Sequence, residues 1–177
     1  MSDETPQSKD ASSGETSASQ PLADTNPFPT QGALFALDYG TKRIGVAVCN
    51  ETQSIACPLE NYDRRNATLD AQWLTQLARG YQVVGLVVGL PVHMSGDEGA
   101  KAKEARKFGE WAAAATGLAL TFWDERYSSA IADMHLSATN YSTKKKKARR
   151  DQIAAQVFLQ RFLDSSDRSM KPGSIVT

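Results

Sequence analysis

Short runs of apolar residues, each followed by polar residues, recur through the middle of the chain. Their length and their content of Val, Ile and aromatic residues predict β-strands. The first three runs lie close enough together to form an antiparallel meander. The fourth is a continuous apolar run, which is typical of a strand buried on both faces, and the fifth is predicted to be buried as well. The five predicted strands cover residues 34–39, 43–50, 53–57, 83–88 and 118–123.

A first helix is predicted between the third and fourth strands, over residues 67–79. Asn66 or Thr68 can cap its N-terminus, and Gly80 can end it, because these residue types favour the two ends of a helix. Its apolar residues recur at helical spacing and should face the sheet. This predicted buried stripe consists of Leu69, Trp73 and Leu77.

Three more helices are predicted in the second half of the chain. One covers residues 99–115 and ends near Gly117, and a short one is capped by Ser128 or Ser129. A flexible basic loop then leads to a final helix over residues 149–164. The predicted buried positions are Ala102, Ala105, Phe108 and Ala112 in the longer helix, and Ile131, Met134 and Ala138 in the short one.

This order of elements predicts an α/β fold with a mixed five-stranded sheet and helices on both of its faces. The predicted domain covers residues 32–164. Residues 1–31 are rich in Ser, Thr, Pro, Gln and acids, which predicts a disordered acidic tail, and residues 165–177 are predicted to be a flexible C-terminal tail.

Composition and charge narrow the class of protein. Residues 1–31 hold five acids and one base, which leaves a net charge of +4 on residues 32–177. Cys49 and Cys57 are the two cysteines, too few for a disulfide framework, so we expect free thiols. No apolar run approaches the roughly 20 residues that span a bilayer, and the N-terminus resembles neither a signal nor a transit peptide. We therefore predict a cytoplasmic protein without a membrane partner.

Acidic residues stand at the ends of apolar segments. Asp38 ends the first strand, Glu125 follows the last strand, and Asp151 opens the final helix on the side that carries Ala154, Ala155 and Phe158. A carboxylate at the end of a buried strand must be hydrated, paired or bound to a metal, because burying it alone is costly. Asp151 could instead act only as a favourable charge in the first helical turn. Taken together, the three acids favour a divalent-metal site.

The chemistry of such a site would suit Mg²⁺ or Mn²⁺. Hard cations prefer oxygen ligands, and paired ions support cleavage of phosphodiester bonds. Three carboxylates around one cleft fit this chemistry, with Asp38, Glu125 and Asp151 as ligands and Asp124 as an additional candidate. The two histidines, His93 and His135, lie in different segments and do not suggest a softer metal.

Basic residues near these acids could hold a nucleic-acid backbone. Lys42 and Arg43 follow Asp38, and Arg126 follows Glu125, where its guanidinium could orient a carboxylate or bind a phosphate. Each could also be an ordinary surface charge. A basic run leads into Asp151, and such runs supply affinity for phosphates but little sequence specificity. It consists of Lys144, Lys145, Lys146, Lys147, Arg149 and Arg150.

A Gly- and Pro-containing loop, residues 89–96, follows the fourth strand and is called the rim loop below. It is predicted to be either a structural turn or a wall of the cleft, at which backbone amides or the His93 side chain approach a phosphate.

These segments together resemble the RuvX/YqgF family, bacterial proteins with a ribonuclease H-like fold. The resemblance covers nearly all of residues 32–163 and rests on the combination of motifs. The matching segments are DYGTKRIGVA at 38–47, VGLP at 88–91, DER at 124–126, and Asp151 with Ala154 and Ala155.

The resemblance implies a ribonuclease H-like core and a metal-dependent nuclease site in which Asp38, Glu125 and Asp151 supply the carboxylates. It also implies either maturation of the 5′ end of precursor 16S rRNA or resolution of Holliday junctions. Resolution requires a dimer, and the sequence is compatible with a monomer or a homodimer. The rim loop departs from the family pattern, because His93 and Ser95 replace the usual Asn and Asp.

Three classes of function follow from these observations. The first is an Mg²⁺- or Mn²⁺-dependent endonuclease acting on structured RNA or branched DNA, with precursor 16S rRNA as the leading substrate. The second is a nucleotide-dependent phosphotransferase, since the Asp-x-Gly-Thr turn resembles the first phosphate loop of the actin and sugar-kinase class. That class needs two such domains, for which this chain is too short. The third is a non-catalytic nucleic-acid-binding factor that uses the acids only structurally.

Overall fold

Five strands form a single mixed sheet in a computed structural model, which describes residues 28–93, 95–126, 128–170 and 172–173. The strand order is β3-β2-β1-β4-β5. β1 pairs antiparallel with β2 and β2 with β3, whereas β4 runs parallel to both β1 and β5. The strands are β1 (Ala33–Tyr39), β2 (Arg43–Cys49), β3 (Ala56–Asp63), β4 (Val83–Leu90) and β5 (Ala119–Asp124).

Helices cover both faces of this sheet. Two helices pack on one face and a long helix packs on the other, and a short helix packs against the long one. The predicted α/β class with a mixed five-stranded sheet is confirmed. The helices are α1 (Ala67–Gly80), α2 (Ala100–Thr116), α3 (Ser128–Ser137) and α4 (Thr143–Asp164). None of the helices in the described ranges has the length and apolar content that a transmembrane span requires.

The central strand β1 is apolar on both faces because each face meets a helical layer. Phe35 and Leu37 pack in the core beneath α1 and α2, while Leu34 and Ala36 pack in the core beneath α4. All four side chains are fully buried. β4 is likewise buried along most of its length, as its continuous apolar sequence predicts. Its one exposed residue is Val84.

The outer strands differ from the prediction. The predicted third strand is present and antiparallel to β2, but its predicted bounds of 53–57 are wrong. Residues 50–55 instead form a turn in which the Asn50 side chain accepts hydrogen bonds from the backbone of Ser54 and Ile55. Gln53 has a positive φ of 52° there. The strand begins at Ala56, and its Pro58 is tolerated at a register shift on an edge strand. β5 is also an edge strand, and only its Trp123 is buried.

In α1 the sequence predicts the helix and its cap but not the buried face. The Asn66 side chain accepts a hydrogen bond from the backbone of Leu69, which confirms the predicted N-cap. The buried residues are Asp70, Leu74 and Ala78, one position beyond the predicted stripe, while Leu69 is 39% exposed. The shift is possible because Asp70 is fully paired inside the fold, with Tyr62, Arg64 and the backbone of Arg65 as donors.

The predicted buried stripe of α2 is confirmed, whereas two of the positions predicted to be buried in α3 are wrong. The predicted stripe of α2 is buried, and Gly117 ends that helix in a left-handed conformation with φ 72°. In α3 the buried residues are Ser128, Ala132 and Leu136, whereas Met134 is 62% exposed, because the helix packs chiefly on α4 along a single narrow stripe. The third predicted position, Ala138, lies beyond the end of α3.

The predicted flexible basic loop before residue 149 is wrong. The whole run is helical, since α4 begins at Thr143, and the Ser142 side chain caps it by accepting a hydrogen bond from the backbone of Lys145. Lys, Arg and Ala are strong helix formers, which explains the early start. Asp151 therefore lies about two turns inside α4 and cannot act as a first-turn charge.

Both ends of the described chain pack on the domain. The Gln53 side chain donates hydrogen bonds to the carbonyls of Pro29 and Gly32 and accepts one of 2.6 Å from Arg168. Phe28 and Met170 pack against the core beneath α4. The predicted acidic tail falls largely on residues 1–27, which lie outside the described residues, as do residues 174–177. The boundaries at 32 and 164 stay predictions.

Candidate active site

Three carboxylates from distant parts of the chain line one cleft at the end of the sheet. Asp38 comes from the end of β1, Glu125 from the residue after β5, and Asp151 from α4. β1, β4 and β5 run parallel, so their carboxyl ends lie at the same edge of the sheet, where open α/β sheets bind ligands. The cleft has a volume of about 460 Å³.

Two glycines flank Asp38 and make room for the other carboxylates. Gly45 of β2 pairs with Asp38 and lies directly against Asp151 of α4, so that a Cβ at position 45 would overlap the Asp151 backbone. On the other side, Gly89 of β4 lies beneath the Glu125 carboxylate, and a Cβ there would collide with it. Both close approaches require glycine. The sequence motifs contain these residues, but their purpose appears only in the packed structure.

Helix α4 meets the sheet through the face that its sequence predicts. Ala154, Ala155 and Phe158 are buried on the sheet, which confirms that Asp151 lies on the sheet-facing side of this helix. The Asp151 side chain is half-buried and forms an ion pair with Arg43, with 3.2 Å between Oδ2 and Nε. Arg43 thus supplies a positive charge to one of the three carboxylates.

Burial and mutual repulsion raise the pKa values of the other two carboxylates. The pKa of Asp38 lies well above its ordinary value, chiefly because of desolvation and then because of the charges of Glu125 and Asp151. Arg150 partly opposes this rise. Desolvation and the charge of Asp124 raise the pKa of Glu125 to about 7, against the opposing charge of Lys101. These clustered negative charges would be stabilised by a bound cation.

The donor set fits a hard divalent cation in its chemistry. All three side chains offer carboxylate oxygens, and no described side chain donates a hydrogen bond to Asp38 or Glu125. Within the described ranges, however, no group of three His, Cys, Asp or Glu side chains is arranged closely enough to hold a metal ion. In this arrangement the Asp151 carboxylate is instead paired with Arg43.

Asp124 and Arg126 bind each other. The Arg126 guanidinium donates to Asp124 Oδ2 at distances of 2.6 and 2.7 Å, and the Arg126 backbone donates to Oδ1 at 2.8 Å. Neither residue lines the cleft that holds the three carboxylates. The structure therefore places Asp124, the additional candidate metal ligand, in an ion pair beside the cleft. Its partner is Arg126, for which the sequence allowed either contact with a carboxylate or binding of a phosphate.

Apart from Arg126, the predicted basic residues divide into two groups. Lys42, Arg43 and Arg150 line the cleft, and Arg150 also pairs with Asp133 at 2.8 Å. The others lie outside the cleft on the first two turns of α4, where most of them are exposed, and the Lys145 ammonium lies 4.0 Å from the centre of the Tyr141 ring. This second group consists of Lys144, Lys145, Lys146, Lys147 and Arg149.

The rim loop contributes less to the cleft than its position suggests. Only Pro91 of this loop lines the cleft among the residues described. His93 is exposed and its ring lies against Gly99, while the Ser95 hydroxyl donates to Asp97 at 2.8 Å. The two residues that depart from the family pattern thus serve the local geometry of the loop.

Polar residues of α2 and α3 that line the cleft are not among the site residues predicted from the sequence. They are Lys101 and Glu104 of α2 and Ser129 of α3. Lys101 lies in the first turn of the helix that follows the rim loop, so its place at the same edge of the sheet could have been predicted from the order of elements. Glu104 lies one turn later on the same side of the helix, so its place beside Lys101 could have been predicted in the same way.

Comparison with known proteins gives consistent matches in sequence. The sequence model of the family described as "RuvX: Holliday junction resolvase" matches residues 32–165. A protein of Rhodopirellula baltica named "Putative pre-16S rRNA nuclease" is 41% identical over 138 residues, covering 78% of this chain and 80% of that protein. A protein of Paracoccus denitrificans with the same name is 42% identical over 137 residues, covering 77% of this chain and 87% of that protein.

The fold also matches a solved structure. RuvC of Thermus thermophilus, determined in complex with a Holliday junction substrate, aligns with a TM-score of 0.51 at 12% sequence identity. The alignment covers 80% of this chain and 99% of that one. This likeness confirms the predicted ribonuclease H-like fold class.

Proposed function

Because this chain belongs to the RuvX family, we propose that it is a divalent-metal-dependent endonuclease that matures the 5′ end of precursor 16S rRNA. Membership confirms the resemblance found in the sequence motifs. The substrate is taken from the names of the two bacterial relatives, which align over at least 80% of their length. The proposal also places the reaction in the cytoplasm.

The observation that carries this proposal is the convergence of three carboxylates over two glycines. Asp38, Glu125 and Asp151 come from β1, the end of β5 and α4, and they line the same cleft. Such a cluster of partly desolvated negative charge is unfavourable in isolation. A protein that only bound nucleic-acid phosphates would gain nothing from it, since like charges repel.

Asp38, Glu125 and Asp151 would hold Mg²⁺ or Mn²⁺. When bound, such ions activate water and stabilise the oxygen that leaves the phosphorus. The chain itself supplies the orientation of the substrate: Lys42, Arg43 and Arg150 line the same cleft and can donate to phosphate oxygens. Arg43 would exchange its carboxylate partner for a phosphate when the site is loaded.

The basic residues on the outer turns of α4 would bind the backbone farther from the scissile bond. Each added contact contributes affinity that weakens with salt and carries little sequence information. The predicted role of Lys144, Lys145, Lys146, Lys147 and Arg149 therefore remains part of the proposal, but as contacts outside the cleft.

Resolution of Holliday junctions is the second candidate function. The description of the family and the fold shared with RuvC favour it. This activity would require a homodimer that presents two active sites to two strands, whereas cleavage of precursor rRNA would be compatible with a monomer. The substrate therefore decides which assembly is needed.

A cleavage assay tests the proposal. Purified protein would be offered precursor 16S rRNA and a synthetic four-way DNA junction, each with Mg²⁺, Mn²⁺ or EDTA. Asp38→Asn would be compared with Glu110→Gln, a matched loss of charge at an exposed position of α2 outside the cleft. We expect metal-dependent cutting of the RNA that is lost only in Asp38→Asn. Cutting of the junction alone would favour the resolvase, and tight binding without cutting would favour a binding factor.

A further inference from the structure

The walls of the cleft come from both faces of the sheet. On one side stand Arg150 and Asp151 of α4, and on the other stand Lys101 and Glu104 of α2, which packs on the opposite face. A nucleic-acid strand that places a phosphate over Asp38 must therefore continue along one or both of these walls. The phosphate contacts predicted from the sequence lie near the β1–β2 turn, in the rim loop, after β5 or on α4, and none of them lies on the α2 wall.

Lys101, like Lys42 on the β1–β2 turn, differs from the nearby arginines because it forms no ion pair among the described residues. Arg43 pairs with Asp151, Arg150 with Asp133, and Arg106 of α2 with Glu98. Among the described residues, Lys101 has no carboxylate within 4.0 Å, and its side chain is exposed to the cleft. An unpaired ammonium can bind a phosphate without first giving up another partner.

We propose that Lys101 is a substrate-binding residue that holds a backbone phosphate of the RNA on the α2 side of the active-site cleft. This inference rests on the proposed function. Lys101 would thereby fix the direction in which the strand leaves the three carboxylates. Its charge reaches one of them, Glu125, where it opposes the rise in the pKa of that carboxyl.

Glu104 supplies an internal test of this placement. It lies three residues after Lys101, on the same side of α2, and lines the same cleft. A phosphate held by Lys101 would lie close enough to be repelled by Glu104. Removing the charge of Glu104 should therefore strengthen RNA binding, whereas removing that of Lys101 should weaken it. A structural effect on the helix would not change sign in this way.

The experiment measures binding of a fluorescein-labelled RNA spanning the 5′ end of mature 16S rRNA, by anisotropy in EDTA over a series of salt concentrations. Lys101→Met is expected to raise Kd by about three- to tenfold and to reduce the slope of log K against log salt by about 0.7–0.9. Lys101→Arg should restore binding. Glu104→Gln should lower Kd. Lys103→Met, an exposed change on the same turn outside the cleft, should alter neither quantity.

The inference is overturned if Lys101→Met and Lys103→Met have equal effects, if Glu104→Gln weakens binding, or if the unaltered protein does not bind this RNA. These outcomes differ from a failure of the proposed function, which would appear as an absence of metal-dependent cutting by the unaltered protein. Circular dichroism would verify that each variant is folded, as expected for exposed positions.

Discussion

At the scale of single residues, the cleft contains carboxylates whose ionised form is energetically unfavourable. The carboxylates of Asp38 and Glu125 are held where burial and neighbouring charge oppose ionisation, while Asp151 is compensated by Arg43. Active sites commonly accept such a cost, because the same groups then bind a cation or take part in proton transfer. Replacing them should therefore reduce activity while increasing the stability of the protein without metal.

Glu125→Gln should stabilise the metal-free protein in a pH-dependent manner. The pKa of Glu125 is raised from 4.5 to about 7 in the folded state, so its ionisation lowers the free energy of unfolding as pH rises through this range. The Gln side chain does not ionise, so the free energy of unfolding of the variant does not fall in this way. Its advantage should be small near pH 4.5 and reach about 1–2 kcal/mol above pH 7, after allowance for solvent screening.

Urea unfolding in EDTA across this pH range checks the prediction, with Glu110→Gln as the control. An advantage that does not grow with pH would show that the environment of Glu125 does not oppose its ionisation.

Arg43→Gln should increase the affinity for divalent metal. The guanidinium lies 3.2 Å from Asp151 Oδ2 and competes with a cation for this carboxylate, and its charge also repels the cation. We expect the Kd for Mn²⁺ to fall by about three- to tenfold, because a partly exposed ion pair is worth roughly 1 kcal/mol. Calorimetric titration with Mn²⁺ measures it. Unchanged or weaker binding would mean that Arg43 does not compete with the metal.

At the scale of elements, the position of α4 is decided by its contact with β2. The helix crosses the sheet where Gly45 leaves no side chain, and this close approach brings Asp151 to the same end of the sheet as Asp38. The small side chains of Ala154 and Ala155 continue the contact. The basic first turns of α4 then extend beyond the cleft, which separates the proposed distant phosphate contacts from those proposed at the three carboxylates.

Gly45→Ala should displace α4. The added Cβ would overlap the backbone of Asp151, so the helix must move away from the sheet. We expect a loss of about 1–3 kcal/mol in the free energy of unfolding, together with weaker Mn²⁺ binding. Gly80→Ala is the control, since nothing lies within 4 Å of its added Cβ. If Gly45→Ala matched this control in both unfolding and metal titration, the close contact would not position Asp151.

At the scale of the whole molecule, the order of the strands places the carboxylates of distant segments at one edge of the sheet. β4 lies between β1 and β5, and all three run parallel, so residues almost ninety positions apart in the sequence reach one edge of the sheet. At the opposite end of the sheet, Gln53 joins the segments before β1 and after α4 through its buried side chain. The two ends of the described chain are thus fastened to the same turn.

Arg168→Ala should weaken the attachment of the segment after α4 and so lower the stability of the protein. Arg168 donates to Gln53 at 2.6 Å and to the Leu163 carbonyl at 3.0 Å. Its loss leaves the buried Gln53 oxygen without this donor, which should cost about 1–3 kcal/mol in thermal or urea unfolding without altering Mn²⁺ binding at the distant cleft. Arg65→Ala, an exposed change, is the control. Equal stability of the two variants would mean that the hydrogen bonds of Arg168 add nothing to the stability of the fold.

The sequence by itself determined the class of fold, the positions of most elements and the residues proposed for catalysis. Apolar periodicity reports burial wherever both faces of a strand or one full stripe of a helix are covered, as in β1, β4 and α2. It did not locate β3, the buried face of α1 or the start of α4. In those places an edge position, a fully paired buried Asp70 and a helix-forming basic run depart from the simple pattern.

Only the tertiary structure decided where the candidate residues lie and which side chains they contact. It paired Asp124 with Arg126 beside the cleft, divided the basic residues into two groups, and added Lys101 and Glu104 to the wall. It also showed why Gly45 and Gly89 flank Asp38. Such facts depend on which side chains meet across the sheet, and the period of a single segment carries no information about contacts between distant segments.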